Sequence, residues 1–139
     1  SVVWLRKAAN QGLSAAQNNL GLCYLNGTGV TSDFAQSVFW FRKDAEQGEV
    51  SAQFKLGFSY ASGLGVTIDK TEAAKWYRKA AEQGVAAAQY NLGGMYEMGW
   101  GTTVDKTKAL DLYQQALAAG NNRAQQNIDR LEGKSVAVE

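Results

Sequence analysis

Histidine and proline are absent from this chain, and cysteine occurs once, at Cys23. Without an imidazole, histidine-based acid–base catalysis and histidine-ligated metal sites are excluded for these residues. A lone cysteine excludes an intrachain disulfide, yet many exported proteins have none, so it assigns no compartment. Charge excess is lacking too: 14 Lys plus Arg against 13 Asp plus Glu leave a net charge of +1, with no block of like charge. Neither nucleic acid nor an anionic membrane finds an electrostatic footprint here. No apolar run reaches the length of a bilayer span, so membrane insertion is not expected. The composition left is globular: 45% hydrophobic and 19% charged over 139 residues, enough for one domain with a real core.

What the chain does have is a period. Trp4, Trp40 and Trp76 stand 36 residues apart, and the same step relates Gly12, Gly48, Gly84 and Gly120. It also relates Gln17, Gln53, Gln89 and Gln125, and again Tyr24, Tyr60 and Tyr96. A fixed period of this kind means that each unit is a supersecondary module stacked on its neighbours. Two helical patterns fill each module. Over 86–98, Ala88, Leu92, Met95 and Tyr96 share one side of an amphipathic helix. Over 70–83, Ala73, Trp76, Tyr77, Ala80 and Ala81 make a wider apolar stripe.

The punctuation between the stripes agrees. Asp33, Asp69 and Asp105 stand where an N-cap belongs, and Glu72 follows Asp69 at capping-box spacing. Gly12, Gly48, Gly84 and Gly120 follow the second stripe as left-handed C-terminal glycines would. The pairs Gly27/Gly29, Gly63/Gly65 and Gly99/Gly101 flank the turn between paired helices. Seven or eight helices are expected. Gly21, Gly57 and Gly93 recur inside helices, where glycine costs about 1 kcal/mol relative to alanine; close helix approach under Trp or Tyr rings from the neighbouring unit would explain them. Residues 1–12 align with 37–48, so the N-terminus is expected to be cut within a repeat, leaving room for a leader and further repeats ahead of it. Asp129 and Glu132 stand where earlier units have Gly93 and Tyr96, as suits a polar capping helix and a natural C-terminus. The expected domain is residues 1–132: a partial repeat 1–12, repeats 13–48, 49–84 and 85–120, and a capping helix 121–132. Residues 133–139 read as a flexible tail.

The run Ala16-x-x-x-Leu20-Gly21-x-x-Tyr24-x-x-Gly27-x-Gly29-Val30-x-x-Asp33, and its counterpart from Ala52 to Lys79 with Trp76, resembles the Sel1-like repeat, a relative of the tetratricopeptide repeat. The resemblance covers residues 1–132. Departures are local: Asp44 where sister repeats carry Ala8 and Ala80, Thr102 for the turn valine, and Leu112 for the tryptophan. Asp44 on an apolar stripe is expected to cost stability unless it reaches water or a cation. The resemblance implies an all-α fold: a right-handed superhelical solenoid of antiparallel helix pairs, with the first helix of each pair lining a concave face. It implies adaptor work, the partner being another protein or a peptide, with no cofactor. Bacterial members of the family are often exported.

Positions freed from stacking duty vary between repeats, and by the same resemblance they face the groove. One set reads Asn18, Phe54, Tyr90, Gln126; a second, one turn on, reads Leu22, Phe58, Gly94, Arg130; a third reads Asn26, Ser62, Met98. Phe54, Phe58 and Tyr90 would then form an aromatic patch, with Leu22 and Leu25 on one side and Glu97, Arg123 and Arg130 on the other. The alternative is that Phe54 and Phe58 pack against a neighbouring helix. Trp100 stands where sisters have Thr28 and Leu64, and either covers its own loop or offers a contact on the rim. Cys23 reads as a small buried residue.

Other chemistry is thin. Glu46 and Glu49 flank Gly48 and are expected to face water. The run Gly27 to Asp33 lacks the Gly-Lys-Ser/Thr of a phosphate loop. The Arg-Lys pairs 6/7, 42/43 and 78/79 are expected on a solvated face screened by Glu46 and Glu82. Three classes of function remain, in this order: a non-catalytic scaffold gripping a peptide or folded partner; a structural or oligomerising module; and a hydrolase acting on cell-wall fragments or β-lactams, as suggested for cysteine-rich Sel1-like relatives. The last lacks both their paired cysteines and a nucleophile–base pair.

Overall fold

A computed structural model describes residues 1–134; residues 135–139, most of the expected tail, lie outside the described residues. Among the described residues there are eight α-helices and no strand. None of these helices is long and apolar enough to cross a membrane. The chain divides into two compact units, residues 1–69 and the part beginning at Lys70.

The first unit holds α1 (Val2–Asn10), α2 (Ser14–Asn26), α3 (Phe34–Glu46) and α4 (Val50–Ser62). Helix α2 packs on α1 and α3, and α3 packs on α4. Ala9, Ala16 and Leu20 form a floor on which the indole of Trp40 lies, with Leu5, Ala8 and Tyr24 around it. The second unit holds α5 (Lys70–Glu82), α6 (Ala86–Met98), α7 (Lys106–Ala118) and α8 (Ala124–Leu131). Its core gathers Ala109, Tyr113, Ala116, Ala124 and Ile128, with Tyr90, Tyr96 and Leu131 against them. Fully burying a ring such as Tyr113 stabilises by about 2–3 kcal/mol, so the one or two buried rings on each of α3, α5 and α7 offset the small contribution of the many alanines.

The expected helix signals are in place. Asp33 and Asp105 accept hydrogen bonds from the backbone N–H of Gln36 and Lys108. The four period-36 glycines at the ends of second helices all have positive φ. Gly101 shows the stronger constraint: at φ 72° an added Cβ would sit 2.1 Å from the Lys70 carbonyl oxygen, so its backbone runs against the start of α5. Gly21 and Gly93 admit a close ring, as expected, but the ring is not the one foreseen. It is Phe41 over Gly21 and Tyr113 over Gly93, with Cβ-to-ring distances of 2.7 and 2.9 Å. Each ring comes from the second helix of the same repeat rather than a neighbouring one, because the two helices of a pair are in closest contact there.

Two polar ladders follow the period. The side-chain amides of Gln17, Gln53 and Gln89 donate to the carbonyls of Ala9, Ala45 and Ala81 at 3.2, 3.3 and 3.2 Å. Those carbonyls lie in the last turn of the preceding helix, where intrahelical partners run out. Gln125 leaves the ladder and donates to Asp129 within α8 at 2.9 Å. The guanidinium groups of Arg6, Arg42 and Arg78 donate to the hydroxyls of Tyr24, Tyr60 and Tyr96, always 18 residues on. Arg6, Arg78 and the three lysines of the Arg-Lys pairs are exposed, as expected of a solvated face, and these tyrosine contacts add to it. The Arg of each Arg-Lys pair ties a helix to the next one. The Lys of the pair reaches a ring, with Lys7 and Lys79 lying 5.1 and 5.6 Å from the centroids of Trp4 and Trp76. Glu46 and Glu49 are exposed, as expected. Cys23 is half-buried rather than buried.

Candidate partner-binding site

Two paired departures shape the first unit. In the second unit, Asn91 hydrogen-bonds Tyr77 and Asn127 hydrogen-bonds Tyr113. At the equivalent positions of the first unit stand Lys55 and Phe41. A phenyl ring cannot accept what a phenol accepts, and the two side chains instead form a cation–π pair, with Lys55 Nζ 5.0 Å from the ring centroid. The result is an apolar cavity of about 300 Å³. Its walls are Leu25 from α2, Phe34, Val38 and Phe41 from α3, Phe54 and Phe58 from α4, and Leu64 from the following turn. Lys55 stands at its edge, donating to Asn18 Oδ1 at 3.1 Å. Burial pulls the Lys55 pKa below its ordinary value, and the nearby Asp44 carboxylate pulls it back up.

Asp44 itself is 2% exposed and accepts a hydrogen bond from the Ser14 hydroxyl. Of the two escapes foreseen for it, water is largely closed off, and the Lys55 ammonium acts on it only as a nearby charge, its own hydrogen bond going to Asn18.

The groove candidates fall into two groups. In the first unit, Asn18, Leu22 and Phe54 are half-buried while Asn26, Phe58 and Ser62 are exposed. Phe58 keeps 50% of its surface in solvent and Phe34, opposite, is exposed as well. In the second unit, Tyr90, Glu97, Arg123 and Arg130 form one network. The Tyr90 ring lies 5.6 Å from that of Tyr113 and 4.7 Å from the Arg123 guanidinium. Glu97 accepts from the Tyr113 hydroxyl at 2.8 Å and from both terminal nitrogens of Arg130. Arg130 thus holds the Glu97 carboxyl below its ordinary range, with burial opposing and the Tyr113 hydroxyl assisting. Burial in turn pushes the Tyr113 phenol up to about 12. Met98 is exposed, and Trp100 is 51% exposed with Lys70 Nζ 5.3 Å from its ring.

Phe34, Lys55 and Leu64 escaped the sequence reading of this site, although each had a readable signal. Phe34 stands where sisters have Lys70 and Lys106, Lys55 where they have Asn91 and Asn127, and Leu64 where they have Thr28 and Trp100. Phe34 lies on a second helix, Lys55 on the first helix next to Phe54, and Leu64 in the turn whose variation pointed to Trp100.

Paired antiparallel helices, repeated with capped turns and side-chain ladders, define a protein of the tetratricopeptide-like helical repeat class, an all-α solenoid. A profile of the Sel1 repeat matches residues 1–13, 14–49, 50–85 and 86–121, and the chain belongs to the Sel1 repeat family. It is similar to the crystal structure of a Sel1 repeat protein from Oxalobacter formigenes, with 38% identity, TM-score 0.82, and coverage of 92% of this chain and 96% of that one. A protective antigen of uropathogenic Escherichia coli with an SLR fold is 41% identical at TM-score 0.87 over 96% of this chain, which spans 29% of the antigen's length. The cysteine-rich protein B of Helicobacter pylori, 22% identical at TM-score 0.68 over 87% of this chain and 92% of its own, shares the fold. Comparison with curated protein sequences gives no significant match. Proteins of this family are typically protein-interaction scaffolds.

Proposed function

We propose that this chain is a non-catalytic adaptor that grips a peptide or protein partner on the face of its first helices, with the cavity of the first unit receiving an apolar side chain. The observation that carries this is the pairing of Phe34 and Phe58, both exposed, across an apolar cavity of about 300 Å³. That is the composition of an interface anchor point: apolar centre, aromatic lips, polar surround. The residues 1–132 act as one repeat domain in this reading; Asn26 and Ser62 supply further contacts in the first unit, and Met98 and Trp100 supply contacts of their own in the second.

The test is affinity capture from lysate with wild-type chain, Phe58→Glu and Phe34→Glu, after circular dichroism shows the variants folded. A protein held by the wild type and lost with both variants supports the cavity as the binding site. Capture unchanged by either variant overturns it.

A further inference from the structure

The last tryptophan position of the period is empty of tryptophan. Trp40 lies on a floor of Ala9, Ala16 and Leu20, beside Tyr24. Moving each residue on by two periods gives Ala81, Ala88, Leu92 and Tyr96, the same residue types in the same order, with Leu112 where the indole should lie. Ala81, Ala88 and Leu92 are as buried as Ala9, Ala16 and Leu20 are under Trp40, although the side chain in the tryptophan position is leucine. Leucine is smaller than tryptophan and planar nowhere. A cavity of about 290 Å³ opens over Leu112, Leu92 and Tyr96, between α5 and α7.

The neighbours of the ring change together with it. In the preceding repeat, Lys75 and Lys79 lie 5.3 and 5.6 Å from the Trp76 ring. The same two positions beside Leu112 are Asp111 and Gln115, and both line the cavity. The cations that cover a resident indole have been exchanged for a carboxylate and an amide. Glu82 adds a second carboxylate to the wall. The cations that remain are engaged with Tyr96: Arg78 donates to its hydroxyl at 2.9 Å, and Lys108 Nζ lies 5.3 Å from its ring. An indole supplied from outside would meet the half-buried side chains of Leu112 and Tyr96, with two carboxylates at hand for its N–H: Glu82, and Asp111, which also accepts from Gln115 at 2.8 Å. A buried indole usually needs such an acceptor.

We propose that this cavity is a second docking site, and that its occupant is a tryptophan side chain of a partner protein. The slot takes from outside the ring that the repeat elsewhere supplies from within. It shares no residue with the first-unit cavity and stands or falls separately from the proposed function.

The experiment uses the whole chain with isotope-labelled leucine and alanine methyls, titrated with N-acetyl-tryptophanamide. Saturable shifts at Leu112, Leu92 and Ala81, in the millimolar range expected of one isolated side chain, support the proposal. They must be absent with N-acetyl-leucinamide and lost in Leu112→Trp, whose own ring fills the slot and raises its thermal midpoint. Phe58→Glu must leave them intact. No saturable shift at those methyls overturns the proposal, as does binding that survives Leu112→Trp. Binding of free indole without binding of N-acetyl-tryptophanamide also overturns it, since the slot would then take a small molecule and not a side chain.

Discussion

Asp44 is the residue at which this repeat departs furthest from its sisters, and its surroundings say what each change there would do. Ser14 donates to a carboxylate that is almost wholly out of water, and the Lys55 ammonium is its nearby opposite charge. Asp44→Ala installs what the other repeats carry, and apolar replacement of a buried charge is often neutral. Its effect is expected to stay within about 1 kcal/mol in urea denaturation. Lys55→Met leaves the carboxylate buried without its cation and is expected to cost more, on the order of 2 kcal/mol. A loss for Asp44→Ala that exceeds that for Lys55→Met would show the carboxylate to be a net stabiliser. Glycine gives a second contrast. Gly101→Ala drives a Cβ into the Lys70 carbonyl, and a cost of about 3 kcal/mol or more is expected because backbone must move. Gly12→Ala meets nothing within 4 Å, leaving only the cost of a positive φ, about 1–2 kcal/mol.

Among the elements, α8 is tied to α6 chiefly by charge. Glu97 on α6 is paired with Arg130 on α8, and its folded pKa lies below the ordinary carboxylate value. The sign follows directly: the contribution is fully present above the unfolded carboxylate pKa, about 4.3, and is lost as pH falls through the lower folded value. Chemical denaturation of wild type should therefore show stability falling as pH drops below about 4.3, with a shallower fall in Glu97→Gln. In Arg130→Ala the Glu97 carboxyl should titrate near its ordinary value by carbon-detected NMR. Tyr113 works at the other end of the scale. Burial raises its phenol to about 12, so its contribution holds below the unfolded pKa of about 10 and is lost as pH rises through 12. The helices themselves were legible because their signals are local. Asp33 and Asp105 cap where the sequence puts caps, and the apolar stripe of α5 is buried residue for residue.

For the whole molecule, the prediction is that partner capture depends on Phe58 and Phe34, while an indole probe depends on Leu112. The two losses should be independent when scored by the two assays, since the two cavities share no lining residue. Much of the candidate site was only half legible. Phe54 and Phe58 were readable because they vary at one position of one helix. The cavity between them was not, because it needs Phe34 and Phe41 from a different helix and Leu64 from a turn. Tyr90, Glu97, Arg123 and Arg130 look free in sequence and are bound to one another in space. The sequence by itself determined the repeat, its seven or eight helices, the caps at Asp33 and Asp105 and the buried stripes, since periodicity and capping act within a few residues along the chain. Only the tertiary structure decided which ring covers Gly21, which hydroxyl each arginine holds, where Asp44 finds its cation, and what Leu112 leaves open. Those outcomes depend on side chains 11 or more residues apart meeting across helices, and no local signal carries that distance.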